Sequence, residues 1–574
     1  MTTENPTITI ERVDDIPLLV AQAIKMGLPA LLDEQYWPHG NWQGTSFGWT
    51  VTIWLAHILS QGDHRLNQVQ PWVNERQETL SRCRGETIRE LEWSDDRLAI
   101  VLVELSDTQR WQRLEQDLTR QTIRVYRLTP QRLHVDSTTS YSHWSISEEG
   151  LFQYGHSKDH RPDLPQLKVM MAVLDGLGMP VVTQVVAGNR ADDPLYLPTI
   201  AQVQQTLAES GLLYVGDSKM GAVLTRASLQ SQGDYYLCPL SEKQLPAAEL
   251  AHYLQPIWDE EIKVVPLYRE DELGQNQWIA EGYERVVEIT QEVAGQPVTW
   301  EERRLVVRSL AQARASAQAL DTRLDKAQAE LAHLLTAKRG KKRLNTREAI
   351  QLAAAAIMKQ HRVADLLTLT IDEQSQERQV RPYRSRPART EIVKRLTLTV
   401  SVDEVTVNEA KRWFGWRVYA TNQPSHTLSL SQAVLAYREE YLVERNFGRL
   451  KGKSLSLQPM YLQSENRAVG LIRLLSLALR LLTVVEFQVR RQLVEKKEGL
   501  AGLYAGNPKR TTTRPTTEAI LKAFKGINLL VVRLDNQVHR HVTPLSGLQE
   551  KLLALLELPP DIYTRLVTVS TNST

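Results

Sequence analysis

The stretch KVMMAVLDGLGMPVVTQVV, residues 168 to 186, decides how the chain folds. Lys168 to Leu174 and Met179 to Val186 are apolar runs of strand length, split by Asp175-Gly176-Leu177-Gly178. Glycine tolerates the backbone a tight turn requires, so the pattern predicts a hairpin. Upstream, Leu133 to Thr139 reads as a third strand. Downstream, a helix starts at about Pro194, a good first-turn residue, with Asp192 or Asp193 as cap. Leu212 to Val215 is then a strand ending at Gly216-Asp217, followed by a helix and the strand Tyr235 to Pro239. Three strands in hairpin order, a helix and a parallel strand make an α/β, ribonuclease-H-like topology. Many α/β folds begin in this way, so the site must carry the functional argument.

Working outward, residues 1–128 read as a helical N-terminal domain, with helical spacing in Ile16 to Leu32, Val51 to Leu59 and Leu98 to Leu105. That segment holds 13 basic and 18 acidic residues, so any DNA contact there requires a local patch; a packing scaffold fits equally well. Residues 129–240 form the first part of the core, and 241–425 are a large insertion. Within the insertion, Leu310, Ala313, Ala317, Leu320, Leu324, Ala327, Leu331 and Leu334 alternate three- and four-residue steps. This predicts a helical hairpin with Asn345 to Leu367 as its second arm. Two basic runs, Lys338 to Arg343 and Arg378 to Arg395, suggest phosphate contact. The core resumes over 426–500 with a predicted helix from Ser431 to Lys451, and 501–574 is a C-terminal region, also read as helical, reached through the Thr-rich stretch Thr511 to Thr517.

A chain of 574 residues predicts three or four domains, and 42% hydrophobic with 24% charged residues is a globular composition. The net charge of +2 excludes coating of nucleic acid by bulk charge. Cys83 and Cys238 have no metal-binding or disulfide spacing, which suits a reducing compartment. Met1 to Asp15 has no apolar leader. Ala468 to Val489 is apolar but carries Arg473, Arg480 and Glu486, which predicts a core helix rather than a membrane span. A cytoplasmic protein without membrane contact is expected.

Three carboxylates stand out. Asp136 lies inside a mostly apolar strand, where a charge is costly unless paired or bound to metal. Asp217 ends a strand, the place where parallel α/β sheets put ligands, although it could also cap the next helix. Glu444 lies between Tyr437 and Lys451, seven residues from each. On one helix these three would form a stripe with about 20° of drift per step. Glu440 lies one turn before Glu444 on nearly the same face, and Glu439 is rotated away. His134 shares a strand face with Asp136 and is expected to be a packed, hydrogen-bonded side chain.

At this point the sequence resembles bacterial insertion-sequence transposases of the DDE type, in the group named for the signature Y-x2-R-x3-E-x6-K. Tyr437, Glu444 and Lys451 match in spacing, while Glu440 occupies the Arg position and an Arg stands at 438. The turn Gly188 to Asp192 looks like the group's G-N-x-x-D. The segment Gly155 to Gln166 looks like the G-x-S-K-D-x-R-P-D-L-x-Q of a subgroup with an N-terminal helical leader domain.

The resemblance implies that Asp136, Asp217 and Glu444 are catalytic and hold two Mg²⁺ ions, for which Mn²⁺ can substitute. It also implies DNA contacts by Tyr437, Lys451, Arg445, Lys158, Arg161 and Trp416. Lys158 and Arg161 could equally serve a structural turn, and Trp416 reads first as a core residue and second as a stack for a flipped base. The expected activity is cut-and-paste transposition by a homodimer that joins terminal inverted repeats to target DNA. A catalytically silent DNA-binding relic and a nuclease without strand transfer are the rival readings.

Overall fold

The computed structural model describes residues 7–37, 40, 42–271, 274–336, 344–382, 387, 389–458, 460, 462, 464–534 and 537–567. The chain divides into two compact units, one built from 1–241, 286–303 and 420–574, the other from 242–285 and 304–419.

In the first unit the predicted hairpin forms. Strands β1 (Arg132–Tyr141), β2 (Gln166–Leu174) and β3 (Met179–Ala187) are antiparallel neighbours. Strands β4 (Leu213–Gly216) and β5 (Tyr235–Pro239) add in parallel on the other side of β1, giving the order β3-β2-β1-β4-β5. Helix α1 (Tyr196–Leu207) supplies the crossover from β3 to β4. Every residue of β2 is buried, the continuous apolar pattern of a strand covered on both faces.

One side of that cover is a 31-residue helix, Glu465–Glu495, which packs against β3 and the leader helices. Among the described residues it is the one helix long and apolar enough to cross a membrane, and 94% of its most apolar window is buried within the protein. The charges in its middle are buried with partners. Arg480 meets Glu115 at 3.3 Å with both side chains fully buried, and Glu486 receives Arg445, Arg449 and Arg490.

The N-terminal helices, the sheet and the C-terminal region share one hydrophobic core. Strands not expected from the sequence, Thr7–Arg12 with Asn528–Leu534 and Gln537–Val542, form one small antiparallel sheet, so the region 501–574 is not wholly helical as expected.

The second unit contains the two helices expected of the insertion, Leu310–Ala332 and Arg347–His361. Leu320, Leu324, Ala327 and Leu331 bury their apolar stripe against Ala354 and Met358. The run Lys338 to Arg343 lies outside the described residues. The second basic run falls on a two-stranded ribbon, Leu367–Val380 with Arg389–Val402, where Arg378 and Arg395 are exposed. Tyr383 to Arg386 and Ala388 lie outside the described residues.

Candidate active site

Register places the first two carboxylates. Val135 of β1 pairs with Gly216 of β4, so Asp136, inside β1, sits beside Asp217, the residue that follows the end of β4. Asp217 accepts a hydrogen bond from the Tyr196 hydroxyl at 2.7 Å and from the backbone N–H of Lys219 at 2.8 Å. Asp136 accepts from the Lys158 ammonium at 3.2 Å. Burial pushes the Asp136 carboxyl up to about 6; Lys158 opposes this and the charge of Asp217 adds to it.

The third carboxylate comes from a segment that departs from the expected single helix. Instead of one helix from Ser431 to Lys451 there are two, α2 (Leu430–Arg438) and α3 (Tyr441–Lys451). Between them the N–H groups of Glu439 and Glu440 bond three residues back, to Ala436 and Tyr437, at 3.2 and 3.1 Å. Such bonds tighten the backbone to about three residues per turn, so the seven-residue stripe from Tyr437 to Glu444 is interrupted.

Packing holds α3 in place. Leu442, Val443, Phe447 and Leu450 are buried, and the Asn446 amide donates to the Gly178 carbonyl in the β2–β3 turn. Glu440 thereby comes under the charges of Asp136, Asp217 and Glu444. Burial pushes its carboxyl up to about 7; a hydrogen bond from Tyr437 opposes this, and the three neighbouring carboxylates add to it. Glu444 is exposed in the first turn of α3.

Glu439 faces a different cluster. Its carboxylate lies 3.2 Å from Arg132, which also binds Asp175 at 2.5 Å, and Asp175 in turn meets the buried His134 ring at 3.2 Å. Ligand atoms of His134, Asp175 and Glu439 lie within 4.8 Å of one another, the spacing of a metal site. The Arg132 guanidinium already stands among the carboxylates. Burial acts to raise the Asp175 carboxyl, yet the His134 hydrogen bond and Arg132 hold it below its usual range. Burial lowers His134, so the ring is neutral at pH 7. We read the cluster as an ionic anchor that ties the α2–α3 joint to β1.

The other residues singled out by sequence fall in distinct places. Lys451 reaches β1, donating to Thr138 Oγ1 at 2.8 Å and pairing with Asp159 at 2.6 Å. Arg161 is half-buried, forked onto Asp163 at 2.9 and 2.8 Å, with Tyr141 beneath it. Arg445 turns from the carboxylates into its 2.6 Å pair with Glu486. Trp416 belongs to the second unit, where its indole N–H donates to the Arg412 carbonyl and Arg308 lies 5.9 Å over its ring. Sequence reasoning missed Asp159 and Tyr196. Asp159 stands inside the loop motif from Gly155 to Gln166, whereas nothing local marks Tyr196.

Four carboxylates, Asp136, Asp217, Glu440 and Glu444, thus crowd a region in which Lys158 is the ammonium partner of Asp136. An oxygen-only donor set with surplus negative charge suits a hard divalent cation. A stability prediction follows. The folded-state values of Asp136 and Glu440 lie above their ordinary 3.8 and 4.5, so the folded protein binds extra protons between those values and about 6 to 7. With metal chelated, their contribution is full below about pH 4 and is lost as pH rises through 7. Melting temperature measured against pH in chelator should fall across that window, and Asp136→Asn should flatten the fall.

Comparison with known proteins agrees with this chemistry. A family model described as "Transposase DDE domain" matches residues 127–481. A piggyBac transposase synaptic complex with hairpin DNA is 9% identical over 97% of this chain and 86% of that one, with a TM-score of 0.33, too low to carry an argument. No curated protein matches the chain. The matched span runs from before Asp136 to beyond Lys451, and the chain belongs to the DDE transposase family, enzymes that cut DNA in transposition and recombination.

Proposed function

We propose that this chain is a cut-and-paste transposase with a ribonuclease-H-like core, of the Y-x2-R-x3-E-x6-K group and the subgroup with a helical leader domain. In this reading it binds the inverted ends of its own element as a homodimer, cleaves them and joins them to target DNA. The observation that carries the reading is the adjacency of Asp136, inside β1, and Asp217, at the end of β4, with Glu440 at the start of α3 under their charges.

Asp136, Asp217 and Glu444 are the residues that would hold two Mg²⁺ ions, or Mn²⁺ in their place. The chemistry supplied by such a pair is activation of the attacking oxygen and stabilisation of the leaving 3′ oxygen. Tyr196 and the Lys219 N–H fix the Asp217 carboxylate, and the anchor through Arg132 and Glu439 sets the start of α3 against β1. Lys451 is the side chain on the strand side of α3 able to hold a DNA phosphate beside the reacting one.

The test incubates purified protein with DNA carrying the element's ends, a target plasmid and Mg²⁺. Cleavage at the ends with joined products is expected. Cleavage of any DNA without joining, even when 3′-hydroxyl ends are supplied, would identify a hydrolytic nuclease instead.

The exposed Arg378, Arg381 and Arg395 belong to the same reading as sequence-independent phosphate contacts. Replacing all three with Ala should weaken end binding and reduce the log–log salt slope by about 0.9 for each phosphate no longer neutralised. Equilibrium binding from low to moderate salt measures this, and an unchanged slope would show these side chains to be solvated.

A further inference from the structure

The loop from Gly155 to Gln166 places two opposite charges, adjacent in the chain, on two parts of the catalytic centre. The Lys158 ammonium lies 3.2 Å from Asp136 Oδ1 and 2.7 Å from the Ser137 carbonyl. The Asp159 carboxylate lies 2.6 Å from the Lys451 ammonium. The first of these pairs puts a cation on a carboxylate proposed to hold a metal. The second puts an anion on a lysine proposed to hold a phosphate.

The loop backbone is pinned while its side chains remain exchangeable. A Cβ on Gly155 would stand 2.3 Å from the Gly188 carbonyl oxygen, so the loop lies directly against the turn after β3. The Lys158 N–H donates to Thr139 Oγ1 at 2.9 Å, and Ser157 Oγ accepts from the N–H of Asp159 at 3.3 Å and of Arg161 at 3.1 Å.

Each charge also keeps partners if its counter-ion leaves. Asp159 retains the Gln458 amide at 2.8 Å and the Thr139 hydroxyl at 3.4 Å. Lys158 retains the Ser137 carbonyl and the field of Asp192. Both ion pairs are partly exposed, with side-chain exposures of 29% and 15% for one and 19% and 12% for the other. Taking such charges out of water costs about what their attraction returns, so the pairs add little net stability and an incoming ion of the same charge can take the partner's place. Lysine suits such a role because its ammonium is a compact point charge on a flexible stem.

We propose that Lys158 and Asp159 are resting-state counter-ions of the catalytic centre: Lys158 stands in for a divalent cation at Asp136, Asp159 stands in for a DNA phosphate at Lys451, and both are displaced when metal and DNA load. This rests on the function proposed above and assigns Lys158 a role other than direct DNA contact. It also explains why a cation and an anion are neighbours in one loop, since each neutralises one half of a site whose partners arrive separately.

The metal arm titrates Mn²⁺ into the full chain without DNA and reads free Mn²⁺ by electron paramagnetic resonance. Lys158→Met should tighten Mn²⁺ binding by about threefold or more, while Lys158→Arg, which keeps the charge, should stay close to wild type. Unchanged or weaker binding in Lys158→Met, with its melting curve still cooperative, would overturn the proposal. Asp136→Asn separates the two readings. If it leaves wild-type Mn²⁺ binding intact, the metal assignment itself fails, whatever Lys158 does.

The DNA arm measures binding of a short duplex in chelator. Asp159→Asn should tighten it by about threefold, and that gain should vanish in the Lys451→Met background. A gain that persists without Lys451, or a loss of affinity in Asp159→Asn, would show that Asp159 is a structural partner and not a stand-in for phosphate.

Discussion

Glu444→Gln should abolish strand cleavage and leave binding of element ends nearly intact. The substitution keeps size and hydrogen-bonding shape but removes the charge a divalent cation requires. Loss of an outer partner of a metal site costs about 10- to 100-fold, and loss of a direct ligand should exceed that. The comparison that gives this result meaning is Glu440→Gln. Glu440 is the half-buried member of the acidic group, pushed up to about 7 by burial and by Asp136, Asp217 and Glu444. Removing its charge relieves repulsion, so that variant should keep cleaving and should melt at a higher temperature in chelator. Glu439→Gln should also cleave, because its carboxylate serves Arg132. Single-turnover cleavage of end-containing DNA, with gel-shift binding in parallel, measures all three. Normal cutting by Glu444→Gln together with a dead Glu440→Gln would place the ligand one turn earlier, at the joint between α2 and α3.

The largest stability effect is expected at Arg480. Its guanidinium donates to Thr119 Oγ1 and the Val181 carbonyl, both at 2.9 Å, besides pairing with Glu115. Glu115 also accepts from the Thr183 N–H and the Gln202 amide at 3.0 Å each. Leader helix, edge strand β3, α1 and the long core helix therefore meet at one buried ion pair. Arg480→Met would leave a buried carboxylate without its cation and should destabilise the first unit by about 3–5 kcal/mol. Burial already pushes Glu115 up to about 7, with Arg480 and Arg473 opposing it. With Arg480 gone its value rises further, so the loss should deepen as pH increases above 7. Denaturant unfolding at pH 6 and pH 8 measures this. Adding Glu115→Leu should recover much of the loss, since an apolar replacement of both partners leaves no uncompensated charge. A cost below about 1 kcal/mol for Arg480→Met would show that water reaches the pair.

Local patterns made the core legible. The β2–β3 hairpin follows from apolar runs around a turn with two glycines, and both glycines do adopt the left-handed backbone, at φ 77° and 72°. Asp136 could be placed inside a strand and Asp217 at the end of one because strand patterns are set by residues within a few positions of them. The long core helix could be told from a membrane span because three charges interrupt its apolar run, and each has a buried partner in the fold.

Long-range packing decided the rest. No turn ties Thr7–Arg12 to a neighbouring strand, and its partner lies over 500 positions away in Asn528–Leu534. Apolar faces on either side of residues 128 and 500 bury against one another in one core. The choice among Glu439, Glu440 and Glu444 was beyond helical spacing, which assumes an unbroken helix. The joint at Glu439–Glu440 is set by Arg132 and by the burial of α3 against the β2–β3 turn. By itself, then, the sequence determined the hairpin and placed Asp136 inside one strand and Asp217 at the end of another, since each follows from interactions within a few residues. Only the tertiary structure brought Glu440 under the charges of the two aspartates and closed Lys158 and Asp159 on the site, because those interactions join groups that only the folded sheet brings together.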